Sequence, residues 1–205
     1  MIAKIKHCFY TLLHPFNGFD AIKWEKKGSV GVAAFSLFLY YISAIYKYQG
    51  TGFMFNTNNP DKLNILLIAV SSFIPFLVFS VANWSVCTLF DGEGKFSEIV
   101  IAVGYALIPM TLISFFTTFV SNYILTTEQA FVSMITTAGL IWSLAIGFVG
   151  LMTVHQYTFK QTLLAVLASL VGVFIIMFIV VLVGTLYNQL YSFFAGLYNE
   201  VRFRI

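Results

Sequence analysis

The chain has 205 residues, of which 60% are hydrophobic and only 9% are charged, whereas soluble domains carry about 25% charged residues. This composition excludes a water-soluble globule, because lipid is the solvent that tolerates so much apolar surface. A net charge of +3, spread thinly along the chain, also excludes a nucleic-acid-binding face. We therefore predict a single integral membrane domain over residues 1–205.

The first predicted element is a short segment ahead of the first apolar stretch, HPFNGFDAIKWEKKGS over residues 14–29. It intersperses aromatic residues with basic and polar ones, as short helices at a membrane surface do. The segment thus predicts an interfacial helix on the cytoplasmic side. Its candidate contacts for a partner protein or for lipid are Phe16, Phe19, Lys23, Trp24, Lys26 and Lys27.

Five long apolar stretches follow, at about residues 29–48, 64–90, 99–125, 130–152 and 161–186. Each is long enough to cross roughly 30 Å of hydrocarbon as a helix. Unpaired backbone groups are costly in lipid, and the alternation typical of a membrane barrel is absent, so the predicted fold class is all-α. Pro75 and Pro109 fall inside the second and third stretches and predict kinks there.

A loop between the second and third stretches contains Asp91-Gly92-Glu93-Gly94, a turn signal. We expect Asp91, Glu93 and the nearby Glu98 to lie against the basic residues Lys23, Lys26 and Lys27. The alternative is that these lysines face anionic lipid headgroups. In either case Asp91 and Glu93 join the candidate contact residues.

The fourth stretch carries Gly139, Ser143 and Gly147 at four-residue spacing. Such a stripe of small residues lets another helix approach closely. Ala165 and Ser169 in the fifth stretch offer matching small side chains, so we expect internal packing against that stretch. Packing against a helix of another subunit is the alternative.

The last twenty residues, 186–205, are too short and too polar at their end to span again. A helix from Lys160 to Arg202 would be about 60 Å long, twice the hydrocarbon thickness. The helix must therefore either emerge from the membrane or bend, with Gly184 or Gly196 as the expected place, and we expect its end to form an amphipathic tail on the outer surface. Its predicted apolar face consists of Leu186, Leu190, Phe194, Leu197 and Val201.

The distribution of Lys and Arg predicts the orientation of the spans. With the N-terminus in the cytoplasm, seven basic residues near the span ends lie inside and four outside. Five spans then place the C-terminus outside. The predicted location is the plasma membrane of a bacterium.

The sequence contains no HExxH or GxSxG motif and no acid in the middle of an apolar stretch. The three histidines, His7, His14 and His155, all fall at the predicted cytoplasmic edge, where we expect them to be solvated. The two cysteines have no metal or disulfide spacing. We therefore expect neither catalysis nor a metal ion nor a cofactor.

Several quoted motifs together carry a family resemblance: HPFNGFDAIKWEKKGS, LFDGEGKFSEI, GYALIP at residues 104–109, and the closing NEVRFR. On these the chain resembles the Ypt-interacting-protein (Yip) domain family, in particular its bacterial members. The resemblance implies a five-span membrane domain with a cytoplasmic N-terminus. It also implies a non-enzymatic role, since eukaryotic relatives are linked to Rab-type GTPases as adaptors in vesicle traffic.

An interior without ionisable groups, a small-residue stripe and short interfacial elements favour a non-catalytic scaffold or accessory subunit. Its expected partners are the lipid bilayer and other integral membrane proteins, for example the subunits of a transporter. One alternative is a transporter or channel for a small neutral solute, lined by Asn83, Thr111, Ser114 and Thr118. Another is a trafficking adaptor for a small GTPase.

Overall fold

The computed structural model describes residues 2–56, 58–59 and 62–204. All regular secondary structure in these residues is helical, which confirms the predicted fold class. The helices are α1 (Ile2–Leu13), α2 (Pro15–Trp24), α3 (Val30–Gly50), α4 (Ile65–Leu89), α5 (Phe96–Val120), α6 (Gln129–His155) and α7 (Phe159–Arg204), with a 3-10 turn at Thr126–Glu128. Helices α3 to α7 are each long and apolar enough to cross a membrane.

The predicted spans match these five helices closely at their starts, and the ends of α3 and α4 fall within two residues of the prediction. Helix α5 ends five residues early, because Ser121 and Asn122 turn back to bond the carbonyls of its last turn. The interfacial helix predicted over residues 14–29 is α2. Helix α1 was not predicted; its residues show no long apolar run.

Helix α5 is at the centre of the bundle, between α3 and α6, and α4 pairs mainly with α7. Small residues permit the close approach of α3 and α5, since a Cβ at Gly104 would lie 2.6 Å from the Cβ of Ala33. We call the end formed by α2, loop 90–95 and turn 156–158 the proximal end. The opposite end, formed by the described parts of segments 51–64 and 121–128, is the distal end.

The small-residue stripe of α6 packs inside the bundle, as we expected. Its partner, however, is α5, whereas we expected the fifth stretch, which is α7. A Cβ at Gly139 would lie 2.5 Å from Ile113, and one at Gly147 would lie 3.3 Å from Ala106. Ser143 accepts a hydrogen bond from the backbone N–H of Met110 at 3.0 Å. This N–H follows Pro109, so a side chain of the neighbouring helix bonds a backbone group beside the proline, as is common in membrane helices.

Helix α7 is continuous over 46 residues, about 69 Å. The helix is not interrupted at Gly184 or Gly196, where a Cβ would meet nothing within 4 Å. Every residue from Met177 to Phe194 is exposed. The predicted tail therefore continues the fifth span as one helix, which is longer than the membrane is thick and fits emergence from it; the side chain of Val201 lies outside the described residues.

Candidate functional site

The residues predicted to contact a partner or lipid lie together at the proximal end, but two of them point inward. Phe19 is fully buried beneath α6, where a Cβ at Gly150 would lie 2.8 Å from its ring. The prediction that Phe19 contacts a partner or lipid is thus wrong. Its ring turns inward because Gly150, which has no side chain, leaves the space that the ring fills. Ile22, one turn further on, is buried in the same core cluster.

Lys23 fastens α2 to the ends of three other segments. Its ammonium group donates to the carbonyl of Glu93 at 2.8 Å and to that of Val154 at 2.9 Å. It also pairs with the carboxylate of Glu98, at the start of α5, at 3.6 Å. The two side chains are only 9% and 14% exposed. The expected contact between the basic segment and the acidic loop is confirmed at Lys23, whereas Lys27 pairs with its neighbour Glu25.

The acidic loop packs on an imidazole ring. A Cβ at Gly92 would lie 2.7 Å from His155 Nδ1, and one at Gly94 would lie 2.6 Å from His155 Cε1. Neither glycine has a positive φ. Glycine is therefore required at these positions because a side chain would collide with the His155 ring, and not because of its backbone freedom. Asp91 does adopt the left-handed conformation, with φ of 55°, which Asp tolerates better than most residues.

His155 is 2% exposed. The expectation that all three histidines are solvated, and that the interior holds no ionisable group, is therefore wrong at this residue. Its Nε2 lies 3.1 Å from the side-chain oxygen of Asn83, whose amide nitrogen donates to Ser169 Oγ at 3.0 Å. Because the Asn83 oxygen accepts, His155 Nε2 carries the hydrogen. This chain of bonds links the end of α6 through α4 to α7.

Tyr157 closes the same cluster from the turn between α6 and α7. Its ring stacks on His155 with centroids 5.3 Å apart, and its hydroxyl donates to the carbonyls of Phe90 at 2.8 Å and Cys87 at 3.2 Å. Burial raises the pKa of the Tyr157 phenol to about 12. The aromatic stacking and both bonds tie the turn to the end of α4.

What remains outward at the proximal end is an amphipathic surface. Phe16 is 55% and Trp24 67% exposed. Lys26, Lys27, Asp91 and Glu93 are exposed as well. We call these six residues the proximal surface. Phe19 and Lys23 attach its helix to the bundle, so the arrangement presents aromatic and charged groups at a defined position.

The other two histidines lie near the N-terminus, in and beside α1. His7 bonds the carbonyl of Gly18 at 3.2 Å, and His14 stacks on Tyr10. Among the described residues no group of three His, Cys, Asp or Glu side chains could hold a metal ion. Cys8 and Cys87 are buried free thiols, which agrees with the lack of disulfide spacing in the sequence. Burial raises the pKa of the Cys8 thiol to about 12.

Comparison with known proteins agrees with this architecture. The family model of the Yip1 domain matches residues 9–183, most of the chain. The chain belongs to the Yip1-domain family. The match begins within α1 and ends near Gly184, so the Yip1 domain includes the proximal surface and the five spans, whereas the NEVRFR motif lies beyond it. No curated protein and no solved structure matches the chain, and the narrower assignment to bacterial members has no support in the match.

Proposed function

We propose that this Yip1-family membrane protein is a non-catalytic scaffold or accessory subunit that binds other integral membrane proteins, for example the subunits of a transporter. The observation that carries the proposal is the proximal surface. Phe16 and Trp24 are exposed on a helix that Phe19 and Lys23 attach firmly to the bundle. Exposed aromatic side chains on a rigid support are typical anchors of protein interfaces.

Anionic headgroups are the rival occupant of this surface, because Lys26 and Lys27 would each gain about 1 kcal/mol beside them. Photo-crosslinking from a photo-reactive amino acid at position 24, carried out in intact membranes, distinguishes a protein partner from lipid headgroups. We expect a protein adduct of defined mass that is lost in the double variant K26E/K27E. The matched control carries the same group at Phe38, which is exposed on a span.

Only lipid adducts at position 24, together with purification of the chain always alone in mild detergent, would contradict the scaffold. The mass of a protein adduct also decides between a membrane subunit and a small GTPase as partner. We favour the membrane subunit, since the exposed aromatic groups and the charged groups of both signs at this surface lie directly beside the spans.

A transporter for a small neutral solute has less support. Such a path needs its polar groups together, but Thr111 and Thr118 line different cavities, and Asn83 is engaged with His155 and Ser169. Thr111 itself donates to the carbonyl of Leu107. Uptake of any solute by vesicles containing the purified protein alone would overturn the scaffold proposal.

We also propose that the proximal end faces the cytoplasm and that the C-terminus lies outside. The support is the excess of Lys and Arg near the proximal ends of the spans. Single cysteines at Trp24 and Phe53, both exposed and at opposite ends, test it in a background without Cys8 and Cys87. An impermeant maleimide applied to intact cells should label position 53 only; labelling at position 24 would reverse the orientation.

A further inference from the structure

The distal end contains a polar pocket that the proposed function does not use. It is a cavity of about 170 Å³ where α3 and α5 end and α6 begins. Of the ten residues that line it, eight are polar and two, Phe55 and Val132, are apolar. We use the name distal pocket for the cavity and for six of its polar lining residues, Lys47, Thr117, Thr118, Gln129, Ser133 and Thr136.

The hydroxyl groups of the pocket are not equivalent. Those of Thr117 and Thr136 donate to carbonyls of their own helices, Ile113 and Val132, at 2.8 Å. The hydroxyl of Thr118 is buried, in a residue 3% exposed, and has no hydrogen-bond partner among the described residues. A buried hydroxyl is almost always bonded in a folded protein, so Thr118 lacks an acceptor.

The electrostatics of the pocket favour an anion. Lys47 forms no ion pair with any described residue, and none of the described residues that line the cavity is an acid. Glu128, next to Gln129, is turned to the backbone N–H of Leu125. The N-terminus of α6 adds the positive end of its dipole. The carbonyl of Thr118, which would repel an anion, already accepts from Ser121 and Asn122.

An apolar cavity of about 740 Å³ lies further along α3, α5 and α6 and is also lined by α4 and α7. Its lining includes Tyr40, Met110 and Leu140. Lys47 follows Tyr40, and Thr117 follows Met110, by seven residues, which is two helical turns or about 10 Å. Polar groups at the span ends therefore lead into an apolar groove nearer the middle of the membrane, the polarity profile of a phospholipid.

The groove is too small for a spanning helix. A helix 10 Å across fills on the order of 120 Å³ per residue, so the cavity would hold about six residues of the 20 that a span needs. A lipid chain needs only a narrow apolar channel. Since the described lining of the pocket includes a cation and no acid, a negatively charged lipid is favoured over a zwitterionic one.

We propose that the distal pocket and the apolar groove beside it form a binding site for an anionic phospholipid. The phosphate accepts hydrogen bonds from Lys47, Thr118, Gln129 and Ser133, and an acyl chain lies along Tyr40, Met110 and Leu140. This site is independent of the scaffold proposal, because it lies at the opposite end of the bundle from the proximal surface.

Native mass spectrometry of the delipidated full-length protein tests the site with phosphatidylglycerol and phosphatidylcholine of identical chains. We expect phosphatidylglycerol to be retained more strongly, and K47Q to reduce this retention about fivefold. T118V should reduce it as well. The matched control is K62Q, which removes the same charge at the same end of the bundle but outside the pocket.

A second variant, L144W, places a bulky side chain in the groove at a residue that lines it and is already exposed. It should lower retention of phosphatidylglycerol while the thermal melting of the lipid-free protein is unchanged. Equal retention of both lipids, or retention unaffected by K47Q and T118V, would overturn the proposal. So would displacement of the lipid by millimolar inorganic phosphate, or a lipid-free dimer that L144W converts to monomer, because a free anion or a second copy would then be the occupant.

Discussion

Helices α5 and α7 are both apolar enough to span a membrane, but the bundle uses them in opposite ways. In the most apolar stretch of α5, 44% of the residues are buried, against 6% in α7. The mean hydropathy runs the other way, at 2.2 for α5 and 3.2 for α7. Apolarity therefore determines that a helix enters lipid, whereas other features decide whether it packs at the centre.

Small residues and polar ties are those features. Helix α5 has Ala102, Gly104 and Ala106 within five residues, and α3 and α6 pack against them. Helix α7 contains the bulky run IMFIVVLV over residues 176–183, which keeps neighbouring backbones apart and suits lipid. Among its described residues the buried ones, Thr162, Ala165 and Ser169, all lie in its first three turns, where Ser169 and Gly172 face Asn83 and Ala82.

The largest expected effect comes from adding a side chain to the central helix. In G104V, the new Cβ would lie 2.6 Å from the Cβ and 2.9 Å from the Cα of Ala33, so α3 and α5 must separate. We expect a destabilisation of about 1–3 kcal/mol or more, measured as a lower melting temperature in detergent. The control is G184V in α7, where a Cβ meets nothing within 4 Å and no such loss is expected. Equal losses in both variants would break the contrast between the helices.

The contrast also shows what sequence alone could predict. Hydropathy and length suffice for five spans, because every lipid-facing backbone must be helical. They do not specify neighbours. The stripe of Gly139, Ser143 and Gly147 predicts a close contact, but many faces could receive it, and α5 supplies the partner because Ile113, Met110 and Ala106 fit the stripe.

The candidate site was predicted in part. Lys23 and the acidic loop were expected to meet because their charges are opposite and both lie at the proximal end. His155 was not expected inside, since its neighbours in sequence, Gln156 and Tyr157, are polar. The signal was available in Gly92 and Gly94, but two glycines in a loop indicate a turn as readily as a ring packed against them.

The next largest effect is expected at the proximal end, where Lys23 of α2 pairs with Glu98 at the start of α5. K23M removes the ammonium group that pairs with Glu98 and bonds the carbonyls of Glu93 and Val154. Because these groups lose a partner while largely shielded from water, we expect a loss of about 1–3 kcal/mol in unfolding free energy. Partial recovery in K23M/E98Q would confirm that the unpaired carboxylate contributes. The control, K26M, changes an exposed residue and should stay within about 0.5 kcal/mol of the wild type.

A smaller effect is expected at the polar tie of α7. S169A removes the acceptor for the Asn83 amide, a buried bond of 3.0 Å between α4 and α7. Hydrogen bonds between membrane helices average about 0.6 kcal/mol, so the melting temperature should fall only slightly. T185A provides the comparison, since that hydroxyl donates to Leu182 of its own exposed helix. A loss in S169A as large as that in K23M would mean that α7 is as firmly anchored as α5.

The smallest effect is expected from removing the end of α7. A chain ending after Gly184 retains residues 159–184, about 39 Å of helix, which is enough to cross the membrane. Of the residues removed, 185–194 are all exposed, so the melting temperature and membrane insertion should match those of the full chain. A chain ending after Ala168 serves as the control, since it also removes Ser169 and Gly172, which pack on α4. If removing only the residues after Gly184 already destabilised the protein, the exposed half of α7 would have to contribute to folding through lipid or a second chain. The contrast with α5 would then no longer hold.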